Sequence, residues 1–472
     1  MASLAAFTPI RHLGEMVRTK QVSPVELTEF ALRRLERLGS KYNAVVTITR
    51  EKALAQARAA EKEIVRGKYR GVLHGIPYGA KDLLATSGGI RTTWGTAPYR
   101  DQVFDYDATV VKKLEAAGAV LAAKLAMVEL AGGAGYRHPN ASFTGPGISP
   151  WNLEGWSGGS SSGSGSAVSA GLVPFALGTE TWGSIMWPAN HCGVAGLRPT
   201  FGRVSRHGAM EASWTMDKIG PFASTADDCG LVLEAIAGND PDDETTTAPP
   251  FKYDARDRRK RRFKLALLQG STEGVEPAVK ANVEAVLALL ERERAATVEE
   301  VAVPDMPYEA VARTIISAES ADAYQEFTDA GLGPQLTAES SRRGLYARYA
   351  IPASDYIRAM RIRRLMCRQV DAILAKYDAV VGPSYQTVAP TIDREFNYAF
   401  SGKARDIIGA LGNLAGLPSI SVPNGFGDRR LPTGIQFMGR AYDENRILAV
   451  ARAYQGLTDW HLRHPPGTTP DA

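Results

Sequence analysis

The apolar positions of the chain follow two spacings, and the switch between them sets the fold class. Leu27, Phe30, Leu32 and Leu35 recur at roughly helical spacing behind Ser23-Pro24-Val25-Glu26. There Ser23 can cap, Pro24 suits the first helical position and Glu26 completes a capping box. Over residues 107–123 a helical face of Val110, Val111 and Leu114 stops at Gly118. It gives way to Ala119-Val120-Leu121-Ala122-Ala123, an unbroken apolar run of strand length. The same succession returns as a strand over Phe263–Leu268, a helix over 277–294 and a strand over 298–303. Further strands are predicted over 378–381, 419–422 and 433–438, and a last helix over 443–454. Helix, glycine stop and apolar strand in repeated succession predict a layered α/β protein.

Two polar stretches interrupt this pattern. Residues 239–250 are rich in turn formers and predict a surface connection, followed by a basic run of Arg256, Arg258, Arg259, Lys260, Arg261, Arg262 and Lys264. No aromatic residue interleaves with that run to stack bases, so it reads as a solvated loop leading into the Phe263 strand. The second stretch, Ser157-Gly-Gly-Ser-Ser-Ser-Gly-Ser-Gly-Ser166, has the composition of a flexible linker. It runs directly into the apolar segment 167–177, however, and a linker joins two cores rather than entering one.

Composition narrows the classes. The 472 residues carry 55 Lys and Arg against 51 Asp and Glu, a net charge of +4 that is too weak to indicate a nucleic-acid protein. Hydrophobic residues at 44% and charged residues at 22% are close to globular averages. Cys192, Cys229 and Cys367 are odd in number and far apart, which argues against a disulfide framework and fits a reducing compartment. The N-terminal segment lacks a secretory pattern, and no stretch approaches the ~20 apolar residues of a membrane span. A cytoplasmic protein is expected, with no membrane partner. The seven His lie outside any recognised metal-ligand spacing, and His191 beside Cys192 reads as packing, so no metal site is expected.

Chemistry concentrates in two places. The Gly/Ser stretch can point several backbone N–H groups at a phosphate or at the oxyanion of an acyl transfer. No G-x-x-x-x-G-K-[ST] run supports phosphate, and the formal G-x-S-x-G around Ser161 lacks the strand that precedes a nucleophile elbow. The second place is Leu73-His-Gly-Ile-Pro-Tyr-Gly-Ala-Lys81-Asp82, which sets one lysine inside an apolar, glycine-punctuated segment. Burial disfavours the charged lysine, and a neutral lysine can accept a proton from serine. A surface pair of Lys81 with Asp82 is the competing reading.

The Gly-Gly-Ser-Ser run, the segment Leu177-Gly-Thr-Glu-Thr-Trp-Gly-Ser184-Ile-Met-Trp-Pro-Ala189 and then Cys192-Gly-Val-Ala-Gly-Leu-Arg-Pro-Thr200 resemble the amidase signature family. Tyr377-Asp-Ala-Val-Val-Gly-Pro383, Asn413-Leu-Ala-Gly-Leu-Pro418 and Leu431-Pro-Thr-Gly-Ile-Gln436 extend the resemblance over nearly the whole chain. It implies a single domain over 1–472, with a signature core at about 70–225 and a surface linker at about 239–262. The implied fold is a central mixed β-sheet flanked by helices on both faces. It also implies a Ser–cis-Ser–Lys triad of nucleophile Ser184, bridging Ser160 and base Lys81, with 24 residues between the serines. The implied oxyanion hole is the backbone N–H of Thr181, Trp182, Gly183 and Ser184. Gly132, Gly133, Trp182, Met186 and Asp406 are the expected substrate contacts, Asp406 because it resembles the Asp of glutamine-using relatives that holds the substrate's amino group, with a helix-start or surface carboxylate as its competing reading.

The chain departs from the family pattern at Glu180 for Asp, Trp182 for Gly, Met186 for Arg and Ser162 for Gly. The Asp/Arg pair common behind the nucleophile loop of relatives therefore cannot form in the same way, and retained catalysis with a reshaped pocket is expected, with Trp182, Met186 and Trp187 as packing groups the competing reading. The implied function is cofactor-free hydrolysis of neutral aryl or short acyl amides through an acyl-enzyme, with carbamates (urethanes) as a further class. The expected partner is a small-molecule amide or carbamate, without nucleic acid, acting on a monomer or homodimer. The glutaminase component of a tRNA-dependent amidotransferase and a non-catalytic binding protein of the same fold are the alternatives.

Overall fold

The computed structural model describes residues 6–246, 250–255, 262–396 and 405–468. Arg256, Arg258, Arg259, Lys260 and Arg261 of the expected basic loop lie outside the described residues. Among the described residues eleven strands form one sheet: β1 Val45–Ile48, β2 Pro77–Lys81, β3 Val120–Leu125, β4 Phe175–Glu180, β5 Ala195–Arg198, β6 Lys218–Ala223, β7 Phe263–Leu268, β8 Ala296–Val301, β9 Ala379–Pro383, β10 Ser419–Phe426 and β11 Pro432–Met438. Their order is β1-β3-β2-β4-β6-β5-β10-β11-β9-β7-β8. The sheet is mixed: β2 runs parallel to β3 and β4, and β7 parallel to β8 and β9, while the centre from β4 through β11 to β9 is antiparallel.

The unbroken apolar runs follow from burial of both faces. Leu121, Phe175, Leu177 and Leu197 enter one core, whereas their neighbours Val120, Ala122, Ala176 and Phe222 enter another on the opposite face. The Pro24–Leu38 helix starts on the expected capping box, with Glu26 N–H donating to Ser23 Oγ and Ser23 N–H to the Glu26 carboxylate. Several boundaries differ from expectation, by four residues at the end of β10 and by one or two elsewhere, and two of the differences have a local cause. Strand β8 starts at Ala296 because its parallel pairing begins at Phe263↔Ala296, ahead of its apolar residues. The helix expected over 277–294 is Pro277–Arg292, and Arg294 takes a left-handed φ of 56° just beyond it.

The serine-rich stretch is buried. Its helix, Ser162–Ser169, has every residue inside, and its hydroxyls are held by backbone carbonyls: Ser164 by Leu177, Ser166 by Ile148 and Ser169 by Cys192. A Cβ on Gly163 would lie 2.3 Å from the Ala44 carbonyl oxygen and 2.5 Å from the Ala126 nitrogen, so only glycine permits this approach. Residues 239–246 are likewise anchored: the Asp240 carboxylate accepts from Thr109 and Ser205, and Asp243 from Arg206 N–H. The expected free surface connection is thus a pinned turn over its described part. Among the described residues no helix is long and apolar enough to cross a membrane.

Candidate active site

Lys81 is the last residue of β2, beside β4 in a register that pairs Ala80 with Leu177. This places its side chain next to Thr179, and it is fully buried. Its Nζ lies 2.7 Å from Ser160 Oγ and 2.8 Å from Thr179 Oγ1. Burial lowers the Lys81 pKa to about 7, against smaller opposing pulls from Asp217 and Glu180. The competing partner, Asp82, is occupied elsewhere: Lys124 lies 3.4 Å from it, and Thr93 donates its backbone N–H at 3.0 Å. Ser160 follows a cis peptide from Gly159 and is 1% exposed, with its carbonyl accepting Val128 N–H.

Residues 181–185 link β4 to the short helix Met186–Cys192. Gly183 supplies the left-handed turn with φ 85°, and Trp182 keeps a negative φ, so the large residue is accommodated without strain. The N–H groups of Trp182, Gly183 and Ser184 have no protein acceptor among the described residues. Beneath this loop Glu180 is fully buried, and its Oε2 accepts the N–H groups of Ile185 at 2.9 Å and Met186 at 3.0 Å. Its Oε1 accepts from Arg198 Nη1 at 2.7 Å and Asn413 Nδ2 at 2.9 Å, while Lys218 Nζ donates to Asn413 Oδ1 at 2.7 Å. Burial pushes the Glu180 carboxyl up, but Arg198, Lys218 and the donors on it outweigh burial and hold it at about 2. The pair absent from the nucleophile helix is therefore replaced by one between Glu180 and the end of β5.

Ser184, Trp182 and Trp187 face a cleft of about 1330 Å³, lined also by Gly132, Gly133, Tyr136, Arg313, Phe396 and Asp406. The two glycines follow Leu130 and Ala131, both in left-handed backbone, and a Cβ on Gly133 would strike the Tyr324 hydroxyl at 2.3 Å. Met186 is placed differently from expectation. It is 2% exposed and packs with Ile185, Ala189 and Cys192, and the neighbouring Trp187 takes the cleft wall instead. Asp406 both lines the cleft and caps the Ile407–Leu414 helix, accepting Gly409 N–H at 3.1 Å and the Trp182 indole N–H at 2.7 Å. His191 is buried against Trp156 and Tyr385, and burial lowers its pKa to about 3. Among the described residues no cluster of His, Cys, Asp or Glu could hold a metal ion.

Sequence reasoning missed Thr179 and Arg198. Thr179 was within reach, as one of two polar residues that end an otherwise apolar strand. The Thr179→Val substitution leaves Lys81 one acceptor short in a dry site, and kcat/KM is expected to fall by about tenfold. Steady-state kinetics beside a thermal melt checks this, and an unchanged rate removes Thr179 from the relay.

The amidase family model matches residues 26–448. The chain belongs to the amidase family. Over nearly its full length it is 37% identical to a component of the glutamyl-tRNA(Gln) amidotransferase of Methylococcus capsulatus, its A subunit, covering 97% of this chain and 98% of that protein. Among solved structures, the peptide amidase of Stenotrophomonas maltophilia superposes with a TM-score of 0.84 at 30% identity, covering 98% of both chains. A chain of a vestigial complex, described as revealing the origins of an s-triazine catabolic enzyme, superposes with a TM-score of 0.85 at 29% identity over 95% of this chain and 98% of its own. One expectation falls here. Relatives matching from end to end are named for a tRNA and for an assembly of subunits, so amidase-family membership at this level of identity no longer supports the absence of a nucleic-acid partner.

Proposed function

We propose that the chain hydrolyses amide bonds with Ser184 as nucleophile, Ser160 as proton relay and Lys81 as base. The buried Lys81 Nζ at 2.7 Å from Ser160 Oγ is the observation that carries this reading. With its pKa near 7, a useful fraction of Lys81 is neutral at neutral pH and can accept a proton. Ser184 Oγ attacks the carbonyl carbon as its proton passes to Ser160, whose own proton passes to Lys81. The carbonyl π pair moves onto oxygen, where the free N–H groups of Trp182, Gly183 and Ser184 receive it. Collapse of this intermediate breaks the C–N bond, and the amine leaves with the proton returned through Ser160. Water then repeats the sequence on the acyl-enzyme and releases the acid.

For the substrate, the aromatic wall of Trp182, Trp187, Tyr136 and Phe396 favours uncharged aryl or short acyl amides and carbamates, and the proposed place of the reaction is the cytoplasm. Likeness in sequence favours a second reading more than this one. In it the same site draws ammonia from the carboxamide of glutamine, as the glutaminase component of a tRNA-dependent amidotransferase, and the partner subunits and tRNA belong to that assembly.

Treatment with a fluorophosphonate followed by intact mass and peptide mapping tests the chemistry. A single adduct on Ser184, absent from Ser184→Ala, is expected, and no adduct on folded protein overturns the reading. A panel of p-nitroanilides, primary amides, aryl carbamates and glutamine separates the two substrates. Turnover of neutral amides by the isolated chain supports the first reading, whereas ammonia release from glutamine alone establishes the second.

A further inference from the structure

Trp182 joins three features of the cleft wall that no motif describes. Its indole N–H donates to Asp406 Oδ2 at 2.7 Å, while Asp406 Oδ1 accepts Gly409 N–H. The guanidinium of Arg313, from the Tyr308–Ala323 helix, lies over the indole ring at 5.3 Å from its centroid. The ring also packs against the apolar cluster that contains Ile315, Ile407 and Leu411, which fixes its orientation. One turn from Arg313, Glu309 accepts Asp406 N–H at 2.7 Å.

Two carboxylates on one wall, Asp406 and Glu309, would ordinarily draw a cation into the cleft. Here each already has a backbone donor, Asp406 has the indole donor besides, and a cation is built into the wall as Arg313. We propose that Trp182 is a specificity-determining residue of this wall, occupying Asp406 and carrying Arg313 so that acyl groups bearing an ammonium are rejected and uncharged acyl groups are admitted. The inference rests on the reading of this cleft as the acyl site, and it specifies the charge class that site takes.

An ammonium-bearing acyl group that pairs with Asp406 must displace the indole from Oδ2 or share that oxygen beside a guanidinium. Either route forfeits a charge-assisted hydrogen bond or meets like charge. An uncharged acyl chain of the same length meets neither obstacle. The same wall would therefore disfavour the ammonium end of a free amino acid amide.

The test uses two nearly isosteric amides, hexanamide and 5-aminopentanamide, and reads binding by calorimetry on the Ser184→Ala chain, where turnover cannot interfere. The Ser184→Ala chain is expected to bind hexanamide at least about tenfold more tightly. Trp182→Phe in that background keeps an aromatic ring but removes the N–H, and the preference is expected to move towards the cation by about tenfold. Adding Asp406→Asn is expected to cancel that move. An unchanged ratio in Trp182→Phe overturns the proposal, and so does failure of hexanamide to bind. Failure of the catalytic reading looks different: it is the absence of a Ser184 adduct and of turnover in the unmodified chain, and it leaves the binding ratio measurable.

Discussion

Lys81→Met is expected to lower kcat by roughly 10²–10⁴-fold while making the protein more stable. The loss follows from removing the base that sits 2.7 Å from Ser160 Oγ. The gain follows from the pKa of about 7, lowered by burial from its ordinary 10.5. Between those two values the unfolded chain binds a proton that the folded chain does not, so the stability of the unmodified protein rises with pH across that window. Below about pH 7 the penalty of burying the lysine is present in full. A methionine of similar length has no proton to lose, so its stability advantage is largest at and below pH 7 and fades towards pH 10. Urea unfolding at pH 7 and pH 10 measures the difference, and kcat/KM of the unmodified enzyme is expected to climb as pH rises through about 7. A Lys81→Met protein with normal turnover, or with no pH-dependent gain in stability, would falsify the assignment of Lys81 as a buried neutral base.

Glu180→Ala is expected to destabilise the fold by about 3–5 kcal/mol, because it strands Arg198 in a dry interior. It also removes the acceptor for Ile185 and Met186 N–H, the two backbone groups that set the course of the chain just after Ser184. Glu180→Gln keeps the shape and one acceptor and is expected to cost less. Because the Glu180 carboxyl is held at about 2, its contribution is present at neutral pH and is lost as pH falls from the ordinary carboxylate range towards 2. Chemical denaturation of both variants at pH 7 and pH 4 checks the order. Equal midpoints for Glu180→Ala and the unmodified chain would mean that Arg198 finds another partner.

What could be read from the sequence was local. The Pro24–Leu38 helix was legible because its cap, its first turn and its apolar spacing all agree. Strand β7 was legible to the residue because both its ends coincide with a change from polar to apolar. Edge strand β8 was displaced by two residues, since pairing with β7 decides where it starts. Ser160 and Ser184 were reached through family motifs, because no periodicity relates the end of the Lys81 strand to a loop 79 residues later. The exchange of Met186 for Trp187 on the cleft wall reflects the orientation of a seven-residue helix, too short to show an apolar face. Arg198 and Arg313 are invisible locally: each acquires its meaning from a partner on another element, Glu180 for the first and Trp182 for the second.

The two halves of the candidate site are mounted on different parts of the fold. Lys81 and Thr179 project from neighbouring parallel strands, third and fourth in the order of the sheet, whereas Arg313 and Glu309 belong to a helix that follows β8 at the opposite edge. Proton handling is thus tied to the strands themselves, whereas Arg313 and Glu309 stand on the cleft side of a helix whose other side, Val311, Ala312 and Ile315, is buried in the core. A lineage can exchange residues along that helix, or remodel the segments between β8 and β9, without disturbing the acidity of the lysine. Divergence in diet with constancy in chemistry is the evolutionary behaviour such an arrangement allows.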